Sequence, residues 1–261
     1  MFELAGNLGY EFVNSIFSFK ANDDFKEKQK EAWDKVRESI DAGTPCYGWE
    51  LEQPEYYVIT GYDDIGYYYN GPGIEGEKGP KPWRELGETD IGIIEVYGLK
   101  PGKPPDYEKT VKESLQFALK HARDPGDWVH PGYHTGLEGY DVWINTVEKG
   151  ESTEPGMSYN AAVWAECRVL GLKFLDESKA RLDSSVPPLL EDAIQSYFPV
   201  VDCLSRVVEL FPMMPPDDGI EETERYKMVL EQLKKAREAE EKALDSLERI
   251  VWALRMLEDN K

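Results

Sequence analysis

The chain has 261 residues, 41% of them hydrophobic, and 51 acidic against 30 basic side chains give a formal net charge of −21. That apolar content is enough to bury one large core or two modest ones and excludes a wholly disordered chain. The acid excess opposes binding to nucleic-acid backbones, and no run approaches the roughly 20 apolar residues that span a bilayer.

The opening MFELAGNLGYEF lacks a basic segment and carries Glu3, so a cytoplasmic protein without a secretory signal is expected. Cys46, Cys167 and Cys203 lie far apart with no CxxC pair, which argues against a disulfide framework or a structural zinc site. The end of LAGNLGYEFVNSIFSF reads as a strand with Phe12, Ile16 and Phe19 as apolar anchors. Residues 24–42 read as a helix, capped by Asn22 or Asp23 and ended by Gly43, with Phe25, Ala32, Val36 and Ile40 on one stripe and Trp33 beside it.

Strands are predicted at 45–51, 55–64 and 65–72, the last two as an antiparallel hairpin. In the first, Tyr47, Trp49 and Leu51 alternate with Cys46, Gly48 and Glu50. Residues 71–90 read as a Gly- and Pro-rich loop, and 91–99 as a further strand. PGKPPD (101–106) is the clearest linker, dividing an α/β domain at 1–103 from a helical domain at 104–261. Helices are predicted there at 107–122, 135–148, 157–182, 188–211 and 220–258. The last carries a stripe through Tyr226, Val229, Leu233, Ala236, Glu240, Ala243, Leu247, Ile250, Leu254 and Leu257, widened by Leu230, Leu244 and Val251. A stripe that wide fits a bundle. The expected fold class is α+β, a small antiparallel sheet followed by an all-α bundle with a long C-terminal helix.

Motifs for phosphate or nucleotide binding, the nucleophile elbow and the HExxH zinc site are absent, and no cofactor is expected. His121, His130 and His134 fall close together, but their spacing matches no standard site. No metal is expected; a site there would draw on His130, His134 and Glu138. Glu166 and Glu240 sit in apolar helical stripes, where a partly exposed carboxylate paired with Arg or Lys is expected. Cys46 has no histidine within the α/β part and reads as a buried structural thiol. Glu50, Glu52, Glu55, Asp63 and Asp64 gather at one predicted sheet end and are the candidate ligands for a cation.

The segment GTPCYGWELEQPEYYVITGYDDIGYYYNGP resembles the second half of papain-like peptidases of the bacteriocin-processing type, and within them the family of the N-terminal domain of butirosin biosynthesis protein H. The matching motifs are Gly43 to Pro45, Gly61 to Asp64 and Asn70 to Pro72. GLEGYDVWI and YNAAVWAECR look like the helical region that follows this domain in relatives, so the resemblance covers most of the chain. It implies a papain-like α/β unit, incomplete or degenerate.

It also implies catalytic positions that this sequence does not fill. The histidine position falls on Glu55, and the acid position on Gly71, next to Asn70. The family's cysteine belongs to a helix that would precede Met1. The resulting expectation is a papain-like protein without peptidase activity that binds a small cationic molecule. Two alternatives stand beside it. One is an acyltransferase or amidohydrolase, with Glu55 and Tyr57 as acid and base and Asn70 nearby. The other is a structural protein that forms homo-oligomers through the 220–258 helix. Neither nucleic acid nor membrane is an expected partner.

Overall fold

In this computed structural model the described residues are 4–124, 126, 129, 132–182, 185–214 and 219–259. The chain divides into two compact units, Met1–Pro105 and Asp106–Lys261. Each has its own apolar core.

The first unit is a six-stranded sheet with one helix on it. Its strands are β1 (Tyr10–Phe19), β2 (Cys46–Trp49), β3 (Tyr56–Tyr62), β4 (Gly66–Asn70), β5 (Lys78–Pro82) and β6 (Ile93–Pro101). They lie in the order β1-β6-β2-β3-β4-β5, and every pair is antiparallel. The helix, α1 (Phe25–Asp41), follows β1. Its stripe of Phe25, Ala32, Trp33 and Val36 packs on Ile16, Cys46, Tyr57, Ile59, Tyr67, Ile94 and Val96. These residues alternate along their strands, so the core takes one face of the sheet and leaves the other open. Neither Asn22 nor Asp23 is the helix cap: Asp24 holds that position without a side-chain cap bond.

Two expectations for this unit are corrected. The stretch 71–90 is not all loop, because it contains β5 and a 3₁₀ turn at Trp83–Glu85. Gln29 of α1 holds that turn, donating to the carbonyls of Arg84 at 2.6 Å and Leu86 at 2.8 Å. The second correction concerns Leu51. It does not share a face with Tyr47 and Trp49, because Glu50 adopts φ 58° and breaks the alternation. Leu51 is thereby turned into the core beside Cys46. Val58, the partner of Tyr47 in the ladder, is 54% exposed on the opposite face.

The second unit is a bundle of α2 (Tyr107–Arg123), α3 (Gly136–Glu148), α4 (Glu154–Lys179), α5 (Pro187–Leu210) and α6 (Glu222–Asp259). Asp106 and Thr153 cap α2 and α4 by accepting from Lys109 N and Gly156 N. The long helix packs on α2, α3 and α5. Its stripe from Val229 through Leu254 is buried in this unit's own core, and Tyr226 and Leu257 close its ends. Among the described residues no helix is long and apolar enough to cross a membrane.

Candidate functional site

The acids expected at the sheet end do not converge. Glu50 is buried and accepts from Thr89 Oγ1 at 2.6 Å. Glu52 takes the Tyr69 hydroxyl at 2.7 Å and pairs with Lys78 at 2.5 Å; these bonds hold its carboxyl below the usual range. Asp63 closes the β3–β4 turn, accepting from the backbone of Ile65 and Gly66 and from Tyr68; the backbone bonds first lower its pKa. Glu55 and Asp64 are exposed. Three separate duties, a threonine contact, a tyrosine–lysine pairing and a turn, occupy Glu50, Glu52 and Asp63, and the other two acids face solvent.

The catalytic candidates separate in the same way. Tyr57 is fully buried, and its hydroxyl donates to the Pro72 carbonyl at 3.2 Å and accepts from Gln53 N at 3.2 Å. Asn70 is exposed at the end of β4, and Glu55 faces solvent. Gly71 has no room for an acid, since a Cβ there would lie 2.7 Å from the Tyr57 ring. Cys46 is 1% exposed, and burial pushes its thiol up to about 12. Of the metal candidates, His130 lies outside the described residues, and His134 Nδ1 meets Glu138 at 3.1 Å near the start of α3. No group of three or more His, Cys, Asp and Glu among the described residues could hold a metal ion.

The site with convergent chemistry lies in the helical unit. A cavity of about 540 Å³ is lined by α2 and α4, with Tyr197 of α5 and Glu240 and Leu244 of α6 also contributing. Glu240 is 2% exposed. Arg168 grips it with two bonds, Nε to Oε2 at 3.0 Å and Nη2 to Oε1 at 3.3 Å, and the Tyr140 hydroxyl donates to Oε2 at 3.3 Å. Burial disfavours the Arg168 charge, but Glu240 together with Tyr140 and Tyr197 more than offsets this, so the guanidinium stays protonated. Burial, then Glu240, pushes the Tyr140 and Tyr197 phenols up, leaving both neutral at pH 7.

The aromatic wall follows from close helix approach. Trp164 on α4 stands edge-on to Tyr140 at 4.7 Å and receives Arg168 over its ring at 4.9 Å. A Cβ at Gly139 would meet the Trp164 ring at 2.9 Å, so glycine lets α3 come this near. Gly136 has φ 55° and abuts the Ala122 carbonyl, which fixes how α3 starts against the end of α2. His121 lines the cavity, and burial followed by Arg168 lowers its pKa, so its imidazole is neutral at pH 7. Cys167 also lines it, but no hydrogen bond joins that thiol to His121.

The pairing foreseen for Glu240 is present, but the carboxylate is buried rather than partly exposed, whereas Glu166 is exposed. Arg168 lay two residues from Glu166 in WAECR, so the signal was at hand: an Arg in an apolar stripe implies a partner. No protein-family model matches the sequence, and no curated protein matches it either.

Proposed function

We propose that this protein is a non-catalytic binder of a small molecule, and that the helical cavity is where the ligand sits. The observation that carries this reading is the cavity's floor, a buried carboxylate fully compensated by Arg168 and phenols beneath apolar walls. Concave, mainly apolar sites with a few convergent polar groups are the usual small-molecule sites. The charges of Arg168 and Glu240 cancel and His121 is neutral, so the favoured occupant has an apolar body and an uncharged hydrogen-bonding head. The net charge of −21 favours cations at the protein surface.

The α/β unit is proposed to be a degenerate papain-like domain. Its helix, its strand order around the GYDD turn and the resemblance support this, and the unfilled histidine and acid positions support a unit without peptidase chemistry. An acyltransferase using Glu55 loses support because Glu55 is exposed while the Tyr57 hydroxyl is committed to backbone groups. Three free cysteines fit a reducing compartment, and the cytoplasm is the proposed location.

The test is a thermal-shift screen of uncharged aromatic fragments, repeated on Cys167→Trp, which fills the cavity from an exposed position of α4. Fragments should raise the Tm of the parent and not of the variant, since ligands stabilise the state they bind. Equal shifts in both proteins, or none in either, would refute the cavity as the site.

A further inference from the structure

The face of the sheet opposite α1 is lined with aromatic rings instead of the polar residues that a solvated face usually carries. Register explains how they meet. Tyr47 of β2 pairs with Tyr97 of β6, and Trp49 of β2 pairs with Tyr56 of β3. The rings form a continuous strip: Tyr97 to Tyr47 at 5.3 Å, Tyr47 to Tyr56 at 5.6 Å and Tyr56 to Trp49 at 4.9 Å. Tyr47, Trp49 and Tyr56 are half-buried, so part of each ring meets solvent.

Glu95 stands on the same face, two residues before Tyr97, and accepts a hydrogen bond from the Tyr56 hydroxyl. Burial first, and then this carboxylate, raises the Tyr47 phenol, so that ring stays neutral. Glu52 and Glu88 of the unit have cations, Lys78 for the first and Lys20 and Lys26 for the second, whereas Glu50 and Asp63 have hydroxyl and backbone donors. Glu95 has no Lys or Arg partner among the described residues. A half-buried carboxylate among π faces is a negative site without its positive charge, in a chain of net charge −21.

We propose that this face binds a methylated ammonium group, with Glu95 as counter-ion and the half-buried rings of Tyr47, Trp49 and Tyr56 as its bed, extended inward by the buried Tyr97. Aromatic faces attract organic cations through their quadrupoles, and methylated ammonium ions are the ones such beds select. A hard metal ion would need several oxygen ligands, and this face offers one carboxylate and phenols. The indole N–H of Trp49 is shielded and has no acceptor among the described residues. This site belongs to the α/β unit alone and does not depend on the helical cavity.

Choline and its neutral isostere 3,3-dimethyl-1-butanol differ by one charge, and titrating each into the full chain tests the idea by calorimetry and by the Trp49 indole NMR signal. Choline should bind about tenfold or more tightly than the isostere and shift the Trp49 signal. Glu95→Gln and Tyr47→Leu should each weaken it about tenfold, whereas Cys167→Trp should leave it unchanged. Circular dichroism of each variant separates lost binding from lost fold, and the parent's two titrations need no variant. Equal affinity for the two ligands, no binding of choline, or choline shifts confined to Trp164 would overturn the proposal.

Discussion

Glu240 and Glu95 are both set among tyrosines and a tryptophan, one in each unit, and they are compensated differently. Glu240 is nearly inaccessible and held by Arg168 and Tyr140. Glu95 is half-buried on an open sheet face with a phenol as donor. A helical bundle surrounds an inward carboxylate on every side, so its charge has to be met from within the fold. A sheet covered on one face leaves the carboxylates of the other in contact with water and with whatever the water carries. Burial therefore decides whether a charge becomes part of the framework or stays available to a ligand.

Removing the partner of the buried charge should have the largest effect. Arg168→Leu leaves Glu240 uncompensated, and urea unfolding should show a loss of about 3–5 kcal/mol. Arg168→Leu with Glu240→Leu should recover most of it; a double variant no better than the single would mean that packing, and not charge, holds the floor together.

Alkaline pH should come next. Burial first raises the pKa values of Tyr56, Tyr67, Tyr69 and Tyr97 in the α/β unit, and of Tyr140 and Tyr197 in the helical unit. A group whose folded pKa lies above its unfolded value binds its proton more tightly when folded. Its stabilisation is complete below the unfolded phenol value of about 10 and is lost as pH rises through the folded value. Melting temperatures should thus hold to about pH 10 and then fall. Four such phenols lie in the α/β unit against two in the helical unit, so stability of the α/β unit should fall more steeply with pH and its NMR signals should broaden first. Simultaneous loss in both units would remove that distinction.

Cys46→Ala should cost about 1 kcal/mol, as expected for a small buried side chain. In native protein, iodoacetamide followed by mass spectrometry should label exposed Cys167 first and Cys46 last. Rapid labelling of Cys46 would contradict its raised pKa. The smallest change is expected from Glu95→Gln, within about 0.5 kcal/mol, because an amide oxygen still accepts from Tyr56 and the face is partly solvated. A loss as large as that of Arg168→Leu would place Glu95 in the framework with Glu240.

Local chemistry made much of the fold legible. The stripes of α1 and α6 were readable because side chains three and four apart share a helix face whatever else surrounds them. The linker at 101–106 was readable because three prolines and a glycine break regular structure. Strand β5 was not, since KGPKP has neither alternation nor β-formers and becomes a strand only through its pairing with β4. The position of Leu51 depended on the backbone turn at Glu50.

The candidate site was less legible than the fold. Sequence proximity gathered Glu50, Glu52, Glu55, Asp63 and Asp64, and the tertiary structure dispersed them into turns, a lysine pair and solvent. It then joined Arg168 to Glu240 across 72 positions and Tyr56 to Glu95 across 39. The sequence by itself determined which segments become helices, where the units divide and how acidic the surface is, because propensity, breakers and charge are properties of short stretches. Which carboxylate meets a guanidinium and which meets only phenols was decided by strand register and helix packing, because a charge is compensated by its neighbours in space and those are chosen only when the chain closes on itself.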